Sequence, residues 1–212
     1  MKVFIDLFAG LGGASEAFYQ DPTWQVMRID NNEALLEHTA GLILADITDF
    51  EATMAIINNL MPADLEKLVV WASPPCLEFS NAYSAPRAKA ARNGEEYAPS
   101  LDCLHAAMDI IDQLPCDAWY IENVKGAIEI FNEEINQAWQ QRIGQFFLWG
   151  NFPKIALADS TIRGLRKPDK RWSPIRSNIK AKVPIEYSQA ILASIDKQTT
   201  LTSFFGVAEQ EP

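Results

Sequence analysis

The amino-acid sequence predicts an α/β fold: one largely parallel sheet with helices on both faces. Three observations carry that expectation. Short apolar runs alternate along the chain with segments of helical period, the pattern of strands joined by crossover helices. A glycine-bearing loop, Ala9 to Gly13, follows the first run directly and opens the first helical segment. The 212 residues, 48% hydrophobic and 22% charged, suit one domain with a buried core and exclude a disordered or collagenous chain.

The elements follow in order. Strands are expected at 2–8 (KVFIDLF), 24–29 (WQVMRI), 42–45, 67–72 (KLVVWA), 117–121 (DAWYI) and 145–149 (QFFLW). Helices are expected at 13–20, 32–40, 50–60, 100–113 and 126–141. A last one covers 184–196, starting at Pro184, where a first helical turn tolerates proline. Two stretches read as irregular: 74–99, rich in Pro, Ala and Arg, and the basic stretch 158–183. Stretches of that kind longer than about 12–15 residues are usually functional or disordered.

Lys and Arg number 18 against 28 Asp and Glu, a net charge of −10, but the distribution is uneven. Between Arg163 and Lys182, eight basic residues (Arg163, Arg166, Lys167, Lys170, Arg171, Arg176, Lys180, Lys182) face Asp169 alone. That is a local charge of +7, and it leaves −17 on the rest of the chain. The asymmetry suits a protein that meets a polyanion along one edge and keeps its other faces acidic; a solvated surface loop is the plainer alternative. No run approaches the roughly 18 apolar residues of a membrane span, and MKVFIDLF reads as a strand rather than a signal peptide, so a cytoplasmic chain is expected. Cys76, Cys103 and Cys116 are odd in number and lack metal-ligand spacing, which speaks against a disulfide framework and a metal site.

Three motifs carry chemistry, each at the end of an expected strand. In DLFAGLGG, Asp6 to Gly13, the residues Gly10 and Gly12 let the backbone pass close to a ligand, although the third glycine of a dinucleotide fingerprint would fall at Ser15. Downstream, Asp30 closes the second strand, where a carboxylate can accept from both hydroxyls of a ribose, and Asp46 closes the third. In SPPCLEFSNA, two prolines fix the backbone just before Cys76. A free thiol has a pKa of about 8.5, so a nucleophilic role needs local activation or a coupled proton transfer; otherwise a lone cysteine is core packing. The third motif, Glu122 to Val124, ends the fifth strand and puts a carboxylate on the thiol's edge.

Glycine loop, Pro-Pro-Cys and Glu-Asn-Val, in this order, resemble the cytosine-5 DNA methyltransferase family over about residues 3–152, and weakly to 196. The resemblance implies a Rossmann-like S-adenosylmethionine-dependent methyltransferase sheet with helices on both faces, plus a short basic irregular segment. It implies S-adenosylmethionine over Phe8, Ala9, Gly10 and Gly12, with Asp30 on its ribose, Asp46 near its adenine amino group and Pro74 helping to cover it. It also implies that Cys76 adds to carbon 6 of cytosine, which makes carbon 5 nucleophilic enough to take a sulfonium methyl. Glu122 would hold ring nitrogen 3 and the exocyclic amine, and Asn123 would brace the loop. A base must then be flipped from the duplex, at a few kcal/mol. Arg87, Lys89 and Arg92 match the family's mobile catalytic loop and would meet phosphates, with a solvated loop as the alternative.

The chain departs from the family in three places. The family's Gln-x-Arg-x-Arg segment reads QQRIGQFFLWG here: aligned on Gly150, its arginine positions hold Ile143 and Gln145, and Arg142, one residue out of register, is the candidate substitute. The terminal Gly-Asn-Ala-Val-Pro element reads KAKVP, Lys180 to Pro184. Where most members insert a large target-recognition domain, only about 30 residues precede the last helix, and they are the basic ones. Contacts from Arg163, Arg166, Lys167, Lys170, Arg171 and Arg176 would go mostly to phosphate, which implies a short recognition sequence or dependence on a partner.

The end of the chain reads QTTLTSFF and is similar to the PCNA-interacting (PIP) box by which replication and repair proteins bind the sliding clamp of archaea and eukaryotes. One helical turn would align Leu201, Phe204 and Phe205 as an apolar plug, with Gln198 offering hydrogen bonds. The alternative is a tail folded back on its own core. The expected organisation is a catalytic domain over 1–157, a basic DNA-contacting segment over 158–183, a completing helix over 184–197 and a flexible clamp-binding tail over 198–212. The sequence thus reads as a compact cytosine-5 methyltransferase acting on double-stranded DNA, nucleoid-associated, with no membrane and no metal, in an archaeal or viral replication setting. Its rivals are an RNA cytosine-5 methyltransferase and a catalytically silent nucleic-acid or clamp-binding module.

Overall fold

In the computed structural model, residues 1–157 and 174–205 are described, with side chains as far as 197. Strand β1 (Lys2–Leu7) is apolar except at Lys2 and Asp6, and five of its six residues are buried, as in a strand covered on both faces. It lies third in a sheet of seven strands among the described residues. Strands β2 (Trp24–Asp30), β3 (Leu42–Leu44), β4 (Lys67–Ala72) and β5 (Ala118–Asn123) run parallel with it. Strand β6 (Gln141–Ile143) and strand β7 (Phe146–Asn151) form a hairpin whose second strand pairs antiparallel with β5. The order is β3-β2-β1-β4-β5-β7-β6. Strand order therefore reverses between β1 and β4, the switch point where open sheets leave a crevice at their carboxyl ends.

Helices cover both faces. On one, Val3, Ile5, Leu7, Val70 and Ile121 pack under α2 (Phe50–Leu60), α4 (Asp102–Gln113) and α5 (Ile128–Glu134). On the other, Phe4, Trp71, Tyr120 and Leu148 pack under α1 (Glu16–Gln20) and the last helix, α7 (Ile185–Phe205). Tyr187, Ile191 and Ile195 recur every fourth residue of α7, so one stripe of the helix is buried. Ser188 fixes its position: the hydroxyl donates to the Ala14 carbonyl at 2.6 Å and accepts from the Ala17 amide at 2.9 Å.

Several expected elements differ, each for a local reason. The segment 32–40 holds only a 3-10 turn, Glu33–Leu35, capped by Asn32; only Leu35 and Thr39 in the segment are buried, too narrow a face to hold a full helix. The helix expected over 126–141 ends at Glu134. Asn136, at φ 53°, turns the chain left-handed there, and the Asn132 side chain holds the returning segment by accepting from the Trp139 amide and the Trp149 indole. The stretch 74–99 contains α3 (Pro86–Asn93), with proline in its first turn and Gly94 at its end, signals that were present in the sequence. Within the basic stretch, Arg176–Ala181 forms a short helix, α6. Helix α7 continues past 197 to Phe205, through the residues expected to form a flexible tail.

Candidate active site at the carboxyl edge of the sheet

The loop after β1 is built around left-handed backbone. Phe8, Gly10 and Gly12 have φ of 59°, 54° and 65°. The Gly10 amide donates to Asp30 Oδ2 at 2.9 Å, which ties the loop to the end of β2, and the Thr39 hydroxyl donates to the Gly10 carbonyl at 2.8 Å. The reason for glycine at position 12 differs from the expectation. A Cβ there would stand 2.7 Å from Arg28 Nε, so a buried guanidinium, rather than space for a ligand, excludes a side chain. Ala9 is buried and its amide donates to the Ile29 carbonyl at 3.0 Å.

Arg28 is a residue the sequence reading missed. It is 2% exposed and stands in register with Asp6 on β1. Its guanidinium donates to Ser15 Oγ at 2.9 Å, the Ala40 carbonyl at 3.0 Å and Glu16 Oε2 at 3.0 Å. Ser15 in turn donates to Asp6 Oδ2 at 2.6 Å. Burial raises the Asp6 carboxyl to about 7, against the pull of Ser15 and Arg28. An arginine inside a hydrophobic strand pattern, WQVMRI, was the available signal. Asp46, at the end of β3, is exposed, and Thr48 donates to its Oδ1 through amide and hydroxyl, which lowers its pKa. Beside it a cleft of about 390 Å³ is lined by Thr48, Phe50, Asp102, His105, Ala106 and Asp109; it excludes Cys76 and Glu122.

Cys76 and Glu122 arrive at the same edge from different strands. Burial raises the Cys76 thiol, and the charge of Glu122 raises it further. Glu122 itself is half-buried and lifted by burial to about 7, with a hydrogen bond from Ser73 pulling it down. Asn123, 1% exposed, joins the two motifs: its Nδ2 donates to the Pro74 carbonyl at 3.0 Å and its Oδ1 accepts from the Val124 amide at 2.9 Å. Pro74 is buried beneath this link. At Gly126 a Cβ would meet the Phe79 carbonyl at 1.9 Å, so the loop after Cys76 lies directly on the turn after β5. Arg87 latches the same turn by donating to the Gly126 carbonyl at 2.6 Å. Arg92 lies over the Tyr83 ring, 3.9 Å from its centroid, and donates to the Tyr83 carbonyl; Lys89 is exposed.

Arg142 is placed away from this site, contrary to expectation. Gln141 registers with Leu148 and Leu148 with Glu122, whereas Arg142 registers with Phe147 and Phe147 with Asn123. Neighbours in register share a face, so Arg142 projects from the face opposite Glu122. It is exposed, donating to the Gly144 carbonyl at 2.9 Å with its charge 5.6 Å from the Phe147 ring. Gln141 occupies Glu122's face, but its amide is engaged at both ends by the backbone of Ile155.

Of the basic residues, Arg176, Lys180 and Lys182 are exposed on or beside α6, which lies next to the glycine loop through Asn178. Arg163, Arg166, Lys167, Lys170 and Arg171 lie outside the described residues, as do the side chains of Gln198, Leu201, Phe204 and Phe205. Among the described residues, no group of three or more His, Cys, Asp or Glu could hold a metal ion, and no helix is long and apolar enough to cross a membrane.

Residues 2–168 match the family model of the C-5 cytosine-specific DNA methylases. No curated protein matches the chain. Among solved structures, one similar chain is encoded within an E. coli prophage and described as a DNA modification methyltransferase; it has 19% identity and a TM-score of 0.42, covering 64% of this chain and 36% of that one. Another is the Entamoeba histolytica methyltransferase EhMeth, with 16% identity and a TM-score of 0.44, covering 74% of this chain and 55% of that one. The chain thus spans less than two thirds of either protein.

Proposed function

The chain belongs to the C-5 cytosine-specific DNA methylase family, and from that premise we propose that it methylates cytosine at carbon 5 in DNA through a covalent Cys76 adduct. The observation that carries this reading is the convergence of Cys76 and Glu122, near enough for the carboxylate to act on the thiol. A protonated Glu122 donates to ring nitrogen 3 through one oxygen and accepts from the exocyclic amine through the other. A carboxyl at about 7 supplies that form at neutral pH. A protonated carboxyl carries no charge, so in that form the repulsion that raises the Cys76 thiol is absent. Docking of a base that holds Glu122 protonated therefore favours the thiolate that attacks carbon 6.

The glycine loop suits S-adenosylmethionine. Each Asp30 oxygen accepts one backbone amide, from Gly10 or Asn32, and keeps a further lone pair for a ribose hydroxyl. Phe8, Ala9, Gly10, Gly12, Asp46 and Pro74 complete the set that would hold the donor. When bound, it supplies an electrophilic methyl group on a sulfonium. Asn123 keeps Pro74, and with it the Cys76 loop, against the end of β5.

The test is transfer of labelled methyl to duplex DNA and to RNA side by side, with Cys76→Ala as control. Transfer to DNA and a covalent complex with 5-fluorocytosine duplex, both lost in Cys76→Ala, are expected. Transfer to RNA alone, or no adduct, overturns the reading. Recruitment to replicating DNA by a sliding clamp is the finer part of the proposal. It is supported by the box Gln198, Leu201, Phe204 and Phe205 on a backbone that is helical to Phe205. Removing 197–212 should abolish clamp binding and leave transfer to free duplex intact; a large fall in Tm would instead assign the segment to the core. Phosphate contacts from Arg87, Lys89, Arg92, Arg163, Arg166, Lys167, Lys170, Arg171 and Arg176 would make binding strongly salt-dependent.

A further inference from the structure

Trp71 and Ser73 belong to the face of the sheet that carries Glu122. Trp71 is 1% exposed and registers with Asp6 on one side and Tyr120 on the other. An indole N–H can only donate, and when buried it needs an acceptor. Here the acceptor is Ser73 Oγ, at 2.7 Å. Having accepted, the Ser73 hydroxyl has its own proton to give. Ala72 registers with Ile121, so the next residue along each parallel strand brings Ser73 beside Glu122.

We propose that Ser73, turned by Trp71, is a positioning residue for Glu122: it donates to one carboxyl oxygen and so aims the other groups of the carboxyl at the base. The proposal rests on the reading of Glu122 as the group that meets cytosine. Its chemical consequence has a definite sign. A hydroxyl that donates favours the ionised carboxyl and opposes the effect of burial, which otherwise keeps the proton on Glu122 too firmly for exchange with the base. Among the described residues, the other titratable groups facing Glu122 are Cys76, from the loop after β4, and Tyr187, from α7, both of which respond to its charge. Its own strand adds the buried Tyr120, and β7 opposes it with apolar Leu148. Tyr187 stays neutral, its pKa raised by burial, and packs edge-on against Trp71 at 6.0 Å, which holds the indole in place.

The experiment is a carbon-13 NMR titration of the Glu122 carboxyl in the full chain, assigned by its disappearance in Glu122→Gln. Ser73→Ala should move the midpoint up by about one pH unit, a tenfold change in proton affinity, while Ser73→Thr, which keeps the hydroxyl, restores it. Trp71→Phe should move it in the same direction by less. The pH profile of kcat on duplex DNA should shift in parallel. An unmoved midpoint in folded Ser73→Ala overturns the proposal. Should that variant unfold, Trp71→Phe carries the test, and an unmoved midpoint there overturns it equally. Because the titration needs no turnover, a wild-type chain that transfers no methyl to DNA defeats the functional reading while the Ser73 proposal is still decided by NMR.

Discussion

Asp6 and Glu122 are two carboxyl groups on one face of one sheet, both lifted to about 7 by burial, and they sit in opposite circumstances. Asp6 lies within β1, 1% exposed, with the Ser15 hydroxyl at 2.6 Å and the charge of Arg28 beside it. Its neighbours are themselves tied to the backbone at Gly12 and Ala40. Glu122 lies at the end of β5, half-buried, pulled down by Ser73, and its charge reaches the Cys76 thiol. Burial sets the same level for both. The partners decide whether the proton is locked into the fold or available to a substrate.

The contrast can be broken first at Glu122. Glu122→Gln should lower methyl transfer about 10²- to 10⁴-fold, the range of a lost general acid. It should also stabilise the chain in a pH-dependent way. Folded Glu122 sits at about 7 against an ordinary 4.5, so the fold holds its proton more tightly than the unfolded chain. The contribution of this proton to stability is then full below about 4.5, declines as pH rises, and is lost above about 7. Glutamine escapes that loss, so the variant should melt higher than wild type at pH 8 and no higher at pH 4. Equal melting at both pH values would remove the basis of the comparison.

The locked side should respond in the opposite sense. Arg28→Met takes the guanidinium from Glu16 Oε2 and from the Gly12 and Ala40 carbonyls, and it should cost about 3–5 kcal/mol in urea unfolding, with weaker S-adenosylmethionine binding by calorimetry. A cost below about 1 kcal/mol would mean that the network is not what holds the glycine loop. A smaller effect is expected at the thiol. Alkylation of Cys76, followed residue by residue with mass spectrometry, should have its midpoint above that of an ordinary thiol, and Glu122→Gln should bring it down. No response to Glu122→Gln would separate the two groups. The smallest effect belongs to Arg142→Ala, which should change kcat by no more than about twofold because the side chain is exposed on the far face. A loss of a hundredfold would return Arg142 to the site.

Much of the candidate site was legible in order along the chain, in the sense that its residues stand at one edge of the sheet. Gly10, Asp30, Cys76 and Glu122 each follow or close a strand of strong apolar character, and parallel strands deliver such residues to one edge whatever their separation in sequence. For Asn123 the resemblance alone suggested a bracing role, and its side chain donates to the Pro74 carbonyl at 3.0 Å. Helix lengths were less so. Apolar periodicity over 126–141 did not reveal that Asn136 would reverse the chain, because a left-handed residue is decided by what the returning segment meets, here Asn132 and Trp149.

Which residues stand at the carboxyl edge was determined by the sequence alone, since that follows from local hydrophobic pattern and strand direction. Which of them face one another was decided by tertiary structure. Side chains alternate across a strand, so a shift of one residue in register sends a group to the opposite face. That is why Arg142, one position from Gln141, is excluded from Glu122, and why Ser73, at the head of the Pro-Pro-Cys motif, stands beside it. The buried row of Arg28, Asp6 and Trp71 belongs to three strands brought into register by pairing, and no segment of the chain contains it.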